Sequence, residues 1–159
     1  MCLFTNQKIA KVTKKDIVCY KVVKKCSNDG IYRTPFMHTP LDKTLEGKQA
    51  YGKIVYNWAR CGFETIARDN LYEDKPKFSY VVEDGAIHSY KNLSGAKRLI
   101  KFFTKRDNED EYHIFECIIP IGSDYYIGNE NMNGGGPICY ASDKVKFIKE
   151  VENVSSSKS

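Results

Sequence analysis

Two apolar runs set the terms on which this chain can fold. Tyr112-His113-Ile114-Phe115-Glu116-Cys117-Ile118-Ile119 is dense in β-branched and aromatic residues. It stops at Pro120, which has no amide hydrogen to give to a ladder. Asp16-Ile17-Val18-Cys19-Tyr20-Lys21-Val22-Val23 has the same character and is closed by Lys24 and Lys25. Both read as strands. No window of the 159 residues approaches the roughly 18 consecutive apolar residues that a membrane helix needs. At this length one hydrophobic core forms without help from disulfides or metals.

Around these runs the punctuation is clear in places and weak in others. Ser27-Asn28-Asp29-Gly30 is a turn signal, and Ile31-Tyr32-Arg33 begins a returning strand. Pro35 and Pro40 force a loop through Phe36-Met37-His38-Thr39. The stretch from Tyr51 to Trp58 has no clean period and fits strand or helix, and Asp74-Lys75-Pro76-Lys77 breaks the chain. Residues 79–83 and 87–90 read as short strands on either side of Asp84-Gly85. Ala96, Leu99, Ile100 and Phe103 then fall at i, i+3, i+4 and i+7, the buried stripe of a helix. Asn92 or Ser94 can cap it, while Lys101 and Lys105 suit its C-terminal dipole.

A charged turn follows at 106–110. After the 112–119 strand, residues 123–128 are extended and 129–137 form a glycine-rich loop. Residues 138–141 and 145–151 close the fold as strands, the second with one wet face. Residues 1–15 are expected to be a poorly fixed start, 1–152 one globular domain and 153–159 a disordered tail. The fold class is α+β: a largely antiparallel sheet with one or more packed helices.

Charge and cysteine narrow the classes further. The formal net charge of +5 is mild, but the first 25 residues carry seven lysines against the single acid Asp16. That cluster attracts phosphate or another anion, or it simply solvates a strand and blunts a sheet edge. The six cysteines include no Cys-x-x-Cys pair, and the three histidines show no ligand spacing to them, so no metal site is expected. No secretory leader is evident in Met1 to Lys8, so the reading is a cytoplasmic protein with free thiols.

Few constellations carry chemistry. His113 and Cys117 lie four apart on one strand, about 13 Å from each other by strand rise, too far for a nucleophile and its base. Glu109, Asp110 and Glu111 read as a solvated acidic turn. The 129–137 loop lacks dinucleotide or phosphate-loop spacing and serves as a hairpin loop or as a flap over a pocket. His88 and Tyr90 end a strand that feeds a helix, where ligands meet backbone amides. Arg33, Tyr125 and Tyr126 offer a guanidinium and aromatic faces of the kind that sandwich a base or a nicotinamide ring.

Four phrases in order carry a resemblance. They are Tyr20-Lys21-Val22-Val23, Gly85-Ala86-Ile87-His88-Ser89-Tyr90 before a helix with Ala96, Ile119-Pro120-Ile121-Gly122-Ser123-Asp124-Tyr125-Tyr126-Ile127-Gly128, and Cys139-Tyr140-Ala141-Ser142-Asp143-Lys144-Val145. Over roughly residues 17–151 the chain resembles a group of small uncharacterised phage and bacterial proteins, a resemblance that implies no particular activity. A fainter likeness, in Gly85 to Ala96 and Tyr140 to Val151, is to the ADP-ribosyltransferase fold. That likeness implies an Arg or His on an early strand, near Arg33 or His38, and a Glu on a late one, and no Glu here sits in a matching late motif.

The expectation is therefore an accessory protein of phage or mobile-element type. It binds a nucleotide-like small molecule or a host protein without catalysis, through Arg33, His88, Tyr90, Tyr125 and Tyr126. It needs no cofactor and has no membrane partner. An NAD-using ADP-ribosyltransferase-like enzyme and a basic nucleic-acid-binding module are the alternatives.

Overall fold

The computed structural model describes residues 3–58, 78, 80–83, 85–106, 110–131 and 134–152. In chain order its strands are β1 (Leu3–Thr5), β2 (Lys11–Val12), β3 (Ile17–Lys25), β4 (Tyr32–Arg33), β5 (Pro40–Asp42), β6 (Gln49–Tyr51) and β7 (Tyr56–Trp58). They continue with β8 (Tyr80–Val82), β9 (Ile87–Tyr90), β10 (Glu111–Ile119), β11 (Asp124–Asn129), β12 (Ile138–Ser142) and β13 (Lys144–Glu152). The helix α1 (Leu93–Arg106) lies between β9 and β10.

The two apolar runs form the spine. β3 and β10 pair antiparallel over nine positions, from Lys25 opposite Glu111 to Ile17 opposite Ile119. From there the sheet extends in the order β6-β13-β10-β3-β9-β12-β11-β1-β8-β7, with β2 on β11 and β4 and β5 beyond β3. Every pairing is antiparallel. A largely antiparallel sheet with a packed helix is thus the architecture.

Both faces of the central strands are buried, which is why β3 reads as an almost unbroken apolar run. On one face Val22, Tyr90, Tyr112 and Ile114 meet Ala96, Ile100 and Phe103 of the helix. Phe103 lies flat on Tyr112, with ring centroids 4.8 Å apart and planes 2° apart. Across the sheet, Cys19, Val23, Phe115, Cys117, Val145 and Phe147 form a second cluster, covered by Leu45 and Leu41. β13 alternates as its sequence implies: Val145 and Phe147 are buried and Lys146 is exposed.

The start of the chain departs from expectation. Residues 3–5 are a strand inserted between β8 and β11, with Leu3 and Thr5 fully buried. The partner strand makes this possible through Gly128, since a Cβ there would lie 2.0 Å from the Phe4 carbonyl oxygen. Residues 51–58 resolve as extended: β6 ends at Tyr51 and β7 begins at Tyr56. The break at 74–77, the tail at 153–159, Cys2 and Cys61 lie outside the described residues. Among the described residues no helix is long and apolar enough to cross a membrane.

One irregularity of the sheet positions the site. On the edge of β3 away from β10, β9 pairs only at Tyr20 with Tyr90, and β4 pairs only at Lys24–Lys25. Between them, Lys21, Val22 and Val23 have no strand partner on that edge among the described residues. The sheet forks there, and a fork leaves both a recess and backbone groups to satisfy.

Candidate functional site

The fork is the floor of a cavity of about 220 Å³. Lys21 and Val22 line it from β3, residues 85–88 and Tyr90 from the β9 side, and Leu99 from the helix. Thr34, Pro35, Phe36, Met37 and Thr39 cover it. The covering loop is held by its own bonds: His38 and Thr34 amides donate to the Thr34 and Thr39 carbonyls, both at 3.0 Å, and Thr39 N donates to Thr34 Oγ1 at 2.9 Å. His38 takes a left-handed φ of 56°, tolerable for His where most side chains are strained. Its Nδ1 accepts from Lys24 Nζ at 2.8 Å. Phe36 in turn rests on Phe103 of the helix, centroids 5.1 Å apart.

Two polar side chains give the apolar recess its chemistry. The ammonium of Lys21 donates to the His88 carbonyl at 2.8 Å, so a side chain serves that backbone oxygen where the strands part. Lys21 is only 6% exposed, and burial lowers its pKa from the usual 10.5 by disfavouring the charged form, with Cys117 and Cys19 opposing that shift. The His88 ring donates through Nδ1 to the Ala86 carbonyl at 3.2 Å. In the neutral ring this makes Nε2 the accepting nitrogen. Tyr90 is buried and its hydroxyl donates to Glu130 Oε2 at 2.7 Å. Burial first, and then that carboxylate, raise its pKa far above the ordinary phenol value.

Of the five residues singled out by sequence, the cavity gathers His88 and Tyr90. Arg33 stands elsewhere, committed to Asp29 by bonds of 2.8 and 3.1 Å that hold the Asp29 carboxyl near 2. Tyr126 is buried in an aromatic stack, its ring 5.6 Å from Tyr56, which stacks in turn on Tyr80 at 5.3 Å. Tyr125 lies with Lys11, Val12, Lys14, Lys15 and Ile17 along a second, open groove of about 570 Å³. Part of the N-terminal lysine cluster and one predicted ring therefore share a surface.

Among the described residues of the glycine-rich loop, none lines the cavity. Asn129 ties it down instead, its amide donating to the Gly136 carbonyl at 2.6 Å while its side-chain oxygen accepts from Gly136 N at 3.0 Å and Asn131 N at 2.9 Å. The flap over the pocket is 34–39, the segment bounded by the two prolines.

Lys21 is the residue that sequence reasoning passed over, being counted with a solvated cluster. Its signal was present: Cys19 and Val23 flank it at the same-face positions of a strand.

Among the other reactive groups, burial pushes the Cys19 thiol up to about 11, the Cys139 thiol up to about 12 and that of Cys117 well above 9, which leaves all three protonated near neutrality. His113 is buried between carboxylates, with Nε2 3.2 Å from Glu111 and Nδ1 against Glu150. The contact to Glu150 ties β10 to β13.

Comparison of the chain with protein-family models, with curated proteins and with solved structures gives no match.

Proposed function

We propose that this protein binds a small ligand in the recess between β3, β9 and the 34–39 loop. The ligand class is a single flat ring carrying a carbonyl or similar hydrogen-bonding group. The observation that carries this reading is the convergence of Lys21, His88 and Tyr90 beneath a loop that is itself hydrogen-bonded into place. Ligand pockets are mostly apolar with a few fixed polar groups, and about 220 Å³ is below the roughly 300–1,000 Å³ that holds a drug-sized molecule. A base or nicotinamide ring suits it; a whole dinucleotide does not. So small a recess favours such a molecule over a host protein, and the reading is one of binding in the cytoplasm by an accessory protein of phage or mobile-element type.

Thermal unfolding with nicotinamide, benzamide and free nucleobases tests it. A ligand at a hundred times its dissociation constant adds about 2.7 kcal/mol, which raises the midpoint by roughly 5–10 °C at this size. A flat panel contradicts the reading.

The lysine groove favours a second reading, a polyanion surface. Lys11, Lys14 and Lys15 beside Tyr125 supply charges and a ring to a single nucleic-acid strand. Affinity for an oligonucleotide that falls steeply with salt supports it; affinity indifferent to salt removes it. The ADP-ribosyltransferase-like enzyme rests on Tyr90 and its contact to Glu130, an acid just behind the cavity wall. Release of nicotinamide from NAD, lost in Glu130→Gln, is its test.

A further inference from the structure

A lysine buried in a β-strand is costly, and methionine would fill the same space without desolvating an amine. Other lysines here find acids: the exposed Lys48 pairs with Asp42, and the buried Lys24 stands 3.4 Å from Asp110. Lys21 makes no ion pair among the described residues. On its own face its strand neighbours are Cys19 and Val23, and directly across on β10 stands Phe115, with Cys117 beside it. Its nitrogen is held in place by the His88 carbonyl, and the side chain lines a partly open cavity rather than a closed apolar interior.

We propose that Lys21 captures a small aldehyde or ketone covalently, as an imine formed in the cavity between β3, β9 and the 34–39 loop. The Lys21 nitrogen attacks the carbonyl carbon, and a carbon–nitrogen bond forms as the carbonyl double bond opens to a carbinolamine. Two hydrogens from the amine and the oxygen of the carbonyl leave as water, and nothing is oxidised or reduced. The proton passes from nitrogen to the departing oxygen through solvent, to which the cavity opens. The amine must be uncharged to attack, and burial acts in that direction by disfavouring the ammonium. The apolar remainder of the cavity, with Val22, Phe36, Met37 and Leu99, holds the ring of the carbonyl compound.

This inference rests on the recess being the ligand site, and the experiment separates the two. The full chain is incubated at neutral pH with limiting benzaldehyde and cyanoborohydride, and the reduced adducts are located by peptide mapping. Burial favours the uncharged amine at Lys21, so Lys21 is expected to carry the largest share of the adduct, ahead of the exposed Lys14 and Lys15. Adducts spread over the exposed lysines with Lys21 unmodified overturn the imine. Benzamide has the same ring and a carbonyl oxygen but forms no imine. Benzamide binding without a Lys21 adduct removes the imine and keeps the ligand site; neither binding nor adduct removes both. Lys21→Met, checked for folding by its unfolding midpoint, should lose the adduct while the exposed lysines are modified as in the parent chain.

Discussion

The recess at the β3 fork and the groove beside Tyr125 use the same side chain for opposite ends. In the groove Lys11, Lys14 and Lys15 stand in water, where charge is inexpensive to maintain and acts at a distance. In the recess Lys21 is enclosed, meets one carbonyl and is surrounded by thiols and apolar side chains. Counting lysines treats the four alike. The geometry separates a surface that can attract an anion from a cavity that can orient a small molecule. The difference arises from pairing: among the described residues β3 is unpaired on one edge at Lys21, Val22 and Val23, and there Lys21 reaches a space that the sheet does not fill.

Changes aimed at one end should spare the other. The largest expected effect is that of Ile100→Ala, which empties a fully buried site under the helix that backs the recess. It should cost about 3 kcal/mol by denaturant unfolding. Below the transition, retention on a polyanion column should stay as in the parent chain. A loss of less than about 1 kcal/mol would show that the helix is not a principal support of that face.

His88→Ala comes next. It should weaken benzamide binding roughly tenfold, the worth of about one good hydrogen bond, as read by calorimetry. Unchanged affinity would break the assignment of the recess.

A third test uses pH. The folded pKa of Lys21 is lowered, so between that value and 10.5 the unfolded chain binds a proton that the folded chain lacks. Stability conferred by this group therefore rises with pH across that window, and below it the burial penalty stands in full. The stability of Lys21→Met relative to wild type should accordingly fall as pH is raised from neutrality towards 10.5. A pH-independent difference would contradict the burial of the amine.

The smallest effect on stability belongs to the groove. Lys14→Glu with Lys15→Glu should change unfolding free energy by no more than about 0.5 kcal/mol, leave benzamide binding intact and weaken retention on the polyanion column. If benzamide binding falls with these changes, the two sites are not independent.

Much of the frame was legible because it is local. The β3 and β10 runs, the stop at Pro120 and the 96/99/100/103 stripe each state their structure within a few residues. β1 was not legible: Leu3-Phe4-Thr5 gains its place from Gly128, far along the chain. The same division holds at the site. His88 and Tyr90 could be found from a strand that ends before a helix. That Arg33 is paired with Asp29, and Tyr126 stacked on Tyr56, is seen only in the tertiary structure. Lys21 was concealed by its neighbours in a lysine-rich stretch, although the alternation with Cys19 and Val23 marks it as inward.

The most direct test is an amide chemical-shift titration of the full chain with benzamide. The recess as ligand site requires the largest changes at Lys21, Val22, Phe36, Met37 and His88, with Lys11, Lys14, Lys15 and Tyr125 unmoved. Changes confined to the groove residues, or none at saturating benzamide, would contradict it.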